Sequence, residues 1–491
     1  MCKMTNDIYQ EPLVSRYTGK QMQQIFSNDF KFKTWRKCWI ALAESQMQLG
    51  LDIIKPAMIS ELVIAQHTLD YELVKAREKK IRHDVMAHVY EYGTHCPTAK
   101  GIIHLGATSQ YVGCNTDLIQ MREAMKIIKI GLVNVINNMS EIAEKHKGLV
   151  GLGYTHFQAA QPTTIGKRFT LYIQDLLMDL ETIESLKFKA RGAKGVTGTQ
   201  ASYLELFNGD YEKVKKLDQM VAEKLGFDDV FSVTGQTYPR KFDTKIAESI
   251  AGIGVSLSKF AIDMRLLSNL KCVDEPFQLE QTGSSAMPYK KNPMRDERLT
   301  GLSLKPRSLV QDFYNVAATQ WFERTLDDSA IRRMDIPQLF LSGDAMLLLA
   351  NNITYQNVDL TKMRPLTFYP NRIRRLLNEE LPFMASEAIL MDLSKKGYDR
   401  QEMHEIIKTH STKAGWAIKE QGADNDLFER LGKDKKFPLT KSELEKYLEE
   451  PERFVGASER QTEEFLQTRV KPLLTGYYSD LIGKTETEIN V

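Results

Sequence analysis

Glycine and proline are scarce in this sequence, 29 and 16 of 491 residues, below the usual shares of about 7% and 5%. That excludes collagen-like and low-complexity chains and predicts long uninterrupted elements. Long apolar runs are also missing. The longest patch, Ala345 to Ala350, falls far short of the roughly 18 residues of a membrane span. Met1 to Leu13 carries acidic and amide residues and no signal-like apolar stretch, so neither membrane nor export is expected. The five cysteines, at 2, 38, 96, 114 and 272, are odd in number and form no C-x-x-C, which predicts reduced thiols in the cytoplasm. No charge dominates: 66 Lys+Arg face 64 Asp+Glu, a net of +2, so no polyanion surface and no nucleic-acid partner are expected.

What is present is a folded globular composition, 42% hydrophobic, long enough for two or three domains of about 150 residues. No proline occurs from Thr98 to Gln161 or from Thr163 to Tyr238. Asn115-Thr116-Asp117 supplies N-cap chemistry, and Leu118, Met121, Met125, Ile128, Leu132, Ile136 and Met139 then recur at helical spacing up to His146-Lys147-Gly148. About 30 residues make a rod of roughly 45 Å. A second rod starts near Pro162-Thr163-Thr164 and ends before Arg191-Gly192. A third spans Asp243 to Leu270, a fourth begins near Asp296 and bends or breaks at Pro306, and a fifth covers Ala330 to Asn352. Five long amphipathic helices predict an all-α chain with a central bundle. The expected organisation is an N-terminal helical domain over 1–111, the bundle over 112–364, and a C-terminal helical domain over 365–491.

Three glycine-led polar loops interrupt the apolar scaffold: Gly106 to Gln110, Gly153 to Gln158, and Gly283 to Pro293. Each is read as lying just before a long helix, whose free N–H groups and partial positive charge suit anions. Such residues favour turns in any case, and the first two loops read equally well as turns. The third packs two serines, two lysines, an asparagine and two prolines into eleven residues, with Arg295, Glu297 and Arg298 behind it. It could close over a carboxylate, with Lys290 and Asn292 binding and a serine at the reacting carbon.

Other constellations are plain. His83, Asp84 and His88 match no zinc-protease spacing, so no metal is expected. Gly252-Ile253-Gly254 lacks the third glycine of a dinucleotide fingerprint, and Gly195 to Gln200 lacks the lysine-serine ending of a phosphate loop.

The segment Gly283-Ser284-Ser285-x-Met287-Pro288-x-Lys290-x-Asn292-Pro293, within loop 282–296, resembles the signature of the fumarase/aspartase superfamily. Arg82 to His88, Leu105 to Ser109, Gly153 to His156, Thr234 to Tyr238 and Glu323 to Ser329 follow in order. Together they are similar to the adenylosuccinate lyases, in the form found in animals, from Ser15 to about Asn425.

The resemblance implies a fumarase/aspartase-like three-domain fold whose bundles assemble into a tetrameric helical core. It implies β-elimination without metal or organic cofactor, releasing fumarate from adenylosuccinate to give AMP. The same family also cleaves the succinylated aminoimidazole carboxamide ribotide of purine biosynthesis. By position, His156 is the general acid and Ser284 the general base, with Ser285 left open as the alternative. His83, Lys290 and Glu297 would support catalysis. Substrate would be held by Arg16, Tyr17, Arg82, His83, Asp84, Thr108, Ser109, Gln236, Lys290, Asn292, Arg298, Arg324, Ser329 and Arg333, because one phosphate and two carboxylates call for converging cations. In an up-down bundle the first two loops start at opposite ends, so sites shared between chains of a homotetramer are expected. The rival readings are an argininosuccinate lyase-like enzyme and a catalytically inactive helical-bundle relative.

Overall fold

The computed structural model describes residues 7–485; Cys2 and the start of the Met1–Leu13 segment lie outside that range. The chain is almost wholly helical, and its only strands among the described residues form three two-stranded antiparallel ladders. The all-α class is therefore as expected.

The scaffold consists of the helices Ser109–Lys145, Ile165–Ser185, Lys241–Asn269, the pair Met294–Leu302 and Leu304–Ala318, and Asp327–Thr354. Every residue of the last from Leu339 to Thr354 is buried, the pattern of a helix at the centre of a bundle. Asn351, within that stretch, is held on both sides of its amide group. The Asn351 amide donates to the Gly131 carbonyl at 3.0 Å, and the Asn138 amide donates to Asn351 Oδ1 at 3.2 Å. An unmatched amide at that depth would cost about 1–3 kcal/mol.

Three boundaries differ from the sequence reading. The first rod begins at Ser109, behind an extended Thr108, not at Asn115. Asn115 lies inside the helix, fully buried. Its amide donates to the Gly192 carbonyl at 3.3 Å, and its Oδ1 accepts the Gly192 N–H at 3.0 Å. A tertiary clamp thus looks like a cap in the sequence. At 37 residues the rod is about 55 Å long.

The second rod begins at Ile165, where Thr164 Oγ1 accepts the Lys167 amide at 3.1 Å. Pro162 lies in a strand: Val150–Thr155 pairs with Gln158–Thr164. The Gly153–Gln158 segment is therefore a β-hairpin tip, not a loop at a helix N-terminus. The fourth rod does break, but at Ser303, three residues before Pro306. Pro306 falls in the first turn of the following helix, where a missing N–H breaks no helical bond. The serine-bearing loop accordingly precedes a nine-residue helix, not a long one.

One large apolar cluster joins the N-terminal helices to the bundle. A second lies among Pro370–Lys395, Arg400–Gln421, Leu427–Lys433 and Lys441–Glu449, with Ile389, Leu393, Met403, Phe428 and Leu444 inside it. A third, Val150, Leu152, Leu377 and Leu381, fixes the hairpin base to the 370–395 helix. The chain then returns to the bundle: Tyr478 donates to Glu184 at 3.1 Å and the Gly483 amide to Asn134 at 2.7 Å. No helix among the described residues is long and apolar enough to cross a membrane.

Candidate active site

The corner between two N-terminal helices carries three predicted site residues. The helix Tyr71–Ile81 stops at Arg82, which takes a left-handed conformation with φ 54°. His83 then caps the helix Asp84–His95, its Nδ1 accepting the Met86 amide at 3.3 Å. This leaves Nε2 facing outward, 3.3 Å from Ser109 Oγ at the start of the 109–145 helix. Asp84 Oδ2 accepts from Arg333 Nη2 at 3.1 Å. Ser329 and Arg333 sit one turn apart at the start of the 327–354 helix, so two distant motifs meet at this corner.

Gln236 and Thr108 extend the cluster. Gln236 Nε2 donates to Thr108 Oγ1 at 3.2 Å, while its backbone amide donates to the Glu323 carbonyl at 2.9 Å. Beneath them lies a buried charge lattice that motif reading did not single out. Asp328 accepts from Arg324 Nη1 at 2.6 Å and from Arg240 Nε at 2.8 Å. Arg332 donates to Asp243 and Asp117, each at 2.9 Å, and to the Tyr238 hydroxyl at 2.5 Å, and that hydroxyl donates to Asp243 at 2.6 Å. The neighbouring arginines hold Asp328 below the usual carboxylate range despite its burial. Arg324 lies inside the Glu323–Ser329 motif, while Arg240 and Arg332 lie just past the ends of Thr234–Tyr238 and Glu323–Ser329; that they face inward could not be read from the sequence. Arg324 alone of the predicted cations is fixed by this lattice.

His156 stands elsewhere. With Phe157 it forms the two-residue tip of the hairpin, both at positive φ, 54° and 56°, and its side chain is exposed. A tip of this kind holds a side chain out into solvent on a short stiff arm.

The serine-bearing loop is shaped by its own backbone. Ser284 Oγ accepts the amides of Ala286 at 3.4 Å and Met287 at 3.2 Å, whereas Ser285 is exposed. Asn292 Nδ2 donates to the Gly283 carbonyl at 3.1 Å and closes the loop on itself. A Cβ at position 283 would come within 2.3 Å of the Lys290 carbonyl oxygen, so only glycine fits there. Lys290 and Glu297 are exposed. Arg298 Nη1 is buried without a hydrogen-bond partner, a donor available to an acidic ligand. Arg16 and Tyr17 lie in a short turn, Leu13–Tyr17, packed on the 327–354 helix, with Arg16 exposed.

One chain therefore gathers His83, Asp84, Thr108, Ser109, Gln236 and Arg333 at the N-terminal end of the 109–145 helix. The hairpin bearing His156 follows the other end of that helix, about 55 Å away along its axis. Among the described residues no side-chain hydrogen bond or ion pair joins His156, Ser284 or Lys290 to the first group.

Comparison with known proteins identifies the family. Residues 14–305 match a family described as lyase, and residues 382–465 match the adenylosuccinate lyase C-terminus. Over 99% of both chains, the sequence is 46% identical to the adenylosuccinate lyase of Saccharomyces cerevisiae. Over 96% of both chains it is 44% identical to that of Schizosaccharomyces pombe and 43% identical to that of Schistosoma mansoni. The fold is similar to that of the 3-carboxy-cis,cis-muconate lactonizing enzyme of Pseudomonas putida, with TM-score 0.78 and 21% identity over 94% of this chain and 100% of that one. With motifs, bundle and full-length similarity in agreement, the chain belongs to the adenylosuccinate lyase family of the fumarase/aspartase superfamily.

Proposed function

We propose that this chain splits adenylosuccinate into AMP and fumarate, and the succinylated aminoimidazole carboxamide ribotide into fumarate and the free carboxamide ribotide. Ser284 takes the proton beside the succinyl carboxylate. The electrons released form the fumarate double bond as the C–N bond breaks, and protonated His156 delivers a proton to the departing nitrogen. Removing a proton beside a carboxylate builds a dianion, which Lys290, Asn292 and loop amides would stabilise in a closed site. A histidine suits proton delivery near neutral pH.

The observation that carries the serine assignment is the pair of amides pointing at Ser284 Oγ, from Ala286 and Met287. A serine oxygen is a poor base unless its alkoxide is stabilised, and two N–H donors favour that form. This supports Ser284 over Ser285. His83 would bind substrate beside Ser109, and Glu297 would orient a histidine. Arg16, Tyr17, Arg82, Arg298, Arg324, Ser329 and Arg333 would hold the phosphate and carboxylates, with Asp84, Thr108 and Gln236 as polar contacts.

We further infer a homotetramer with sites shared between chains. The separation of the His83 corner from the His156 hairpin supports it, because antiparallel packing of bundles would bring one chain's hairpin to another's corner. The division at 111 and 364 is retained as the proposed domain plan. A reducing, cytoplasmic location is supported by four unpaired buried cysteines, 38, 96, 114 and 272.

The test offers purified protein adenylosuccinate and argininosuccinate separately and measures fumarate. Release from adenylosuccinate alone is expected. Release from argininosuccinate alone, or from neither, overturns the proposal.

A further inference from the structure

The serine-bearing loop is anchored at both ends to one short strap. Residues 273–278 pair with 363–368 through two small ladders, Val273–Asp274 with Thr367–Phe368 and Phe277–Gln278 with Met363–Arg364. Between the ladders lies Glu275. Its two carboxylate oxygens accept the Arg295 amide at 3.1 and 2.9 Å, and Oε2 also accepts the Asp296 amide at 3.1 Å. Glu275 thus caps the helix Met294–Leu302 that begins where the loop ends. The Arg295 guanidinium reaches back to the Pro276 carbonyl, so the strap and the loop's exit hold each other.

The second carboxyl at this junction is the unusual feature. Asp296 buries its carboxyl at the same junction, beside the Glu275 carboxylate that accepts its own backbone amide. Glu275 is 5% and Asp296 1% exposed. A hydrogen bond between two carboxyl groups needs a proton on one of them, and two adjacent buried carboxylates repel strongly. Asp296 Oδ1 has no hydrogen-bond partner, so its ionised form would be poorly solvated. Facing the pair are Arg265 from the 241–269 helix, and Arg295 and Glu297 from the helix that Glu275 caps, with Arg298 beside Arg295. Burial first, and for Asp296 then the neighbouring Glu275, push both carboxyls above their ordinary range.

We propose that Glu275 and Asp296 are positioning residues that fasten the base of the Ser284 loop through one shared proton. The pair touches no reacting atom. It sets where the loop's C-terminal arm leaves the bundle, and so where Lys290 and Asn292 stand relative to Ser284. The inference draws on the reading of that loop as catalytic, but the fastening itself is physical and can be measured without turnover.

The sign follows from the raised values. Stability from the pair is present while the proton is held and is lost as pH rises through the raised range. Hydrogen exchange of the 283–296 amides, expressed as protection factors corrected for base catalysis, is measured from about pH 6 to about pH 9 on the full-length protein. Protection in the native chain should fall by up to about tenfold per pH unit while the folded chain keeps a proton that the unfolded chain has released, and should level off once the folded chain has lost it too. D296N keeps the shape and donates permanently to Glu275, so its protection should stay within about twofold across the range. E275Q puts an amide where two N–H groups need an acceptor, so protection should be low at every pH. An alkaline loss in D296N equal to that of the native chain overturns the proposal. Because exchange is read without substrate, an inactive protein with the predicted exchange pattern would defeat the proposed reaction and leave this inference standing.

Discussion

Arg333 donates to Asp84 at 3.1 Å across a sequence separation of 249. It ties the start of the central helix to the corner that presents His83. The guanidinium is 63% exposed and the carboxylate 33%, so the pair holds geometry more than it stabilises the fold; exposed pairs contribute about 0–1 kcal/mol.

Replacing Arg333 with Met should therefore leave the melting temperature within a few degrees. KM for adenylosuccinate should rise about tenfold or more through loss of a charge-assisted contact. Steady-state kinetics beside a thermal melt checks this. A large drop in melting temperature with unchanged KM would show Arg333 to be structural.

His156→Gln and Ser284→Ala should each lower kcat by about a hundredfold to ten-thousandfold, with folding intact because both side chains stand clear of the core. If sites are built from several chains, mixing the two variants under conditions that exchange subunits should restore part of the native rate. No recovery, with exchange verified by mass, would place each site within one chain.

Arg36 and Glu91 are both almost fully buried and meet at 2.5 Å. Arg36 also donates to the carbonyls of Ala65 and Thr68, and Glu91 accepts the Asp70 amide at 2.8 Å. Asp70 caps the helix that ends at Arg82, so the pair underpins the corner from behind. Arg36→Met strands a buried carboxylate and should cost about 3–5 kcal/mol. Arg36→Met with Glu91→Leu should regain much of that. Denaturant titration of both variants decides the point.

Two histidines should make the fold acid-sensitive. His104 Nδ1 accepts from Trp39 Nε1 at 2.9 Å, which requires a neutral ring. His88 packs 3.9 Å from the Phe32 ring centroid. Burial, followed by the Arg36 charge for His88 and by the neighbouring His83 for His104, holds each down to about 4. A lowered folded value means their contribution is complete above the unfolded value of about 6.5 and is lost as pH falls toward 4. Melting temperature should decline over that interval, and the decline should be shallower in the double variant His88→Gln, His104→Gln. An identical acid limb would assign the effect to other groups.

The sequence made the bundle legible because apolar periodicity survives any tertiary arrangement. The 241–269 and 327–354 helices lie within about three residues of expectation. It misled where one residue type serves two purposes. Asn115 carries cap chemistry but spends it on Gly192. Pro162 suits a helix start but sits opposite Leu152 in a strand. The hairpin was hidden because its tip, His156-Phe157, has none of the Asn-Gly or Gly-Gly signals of such turns. The motifs named the polar residues around the corner. They could not reveal that Asp328 and Arg332 turn inward to position their neighbours, since charge alone does not say which way a side chain points.

The tip of that hairpin has a further consequence. Two ordinary L-residues in succession hold left-handed backbone, a conformation that costs each of them roughly 1–2 kcal/mol and glycine almost nothing. Asn-Gly at 156 and 157 would relax the turn and make the subunit more stable, yet would erase the imidazole. The chain thus carries local strain at the point where it presents His156, the proposed proton donor, and selection for thermal robustness alone would remove that imidazole.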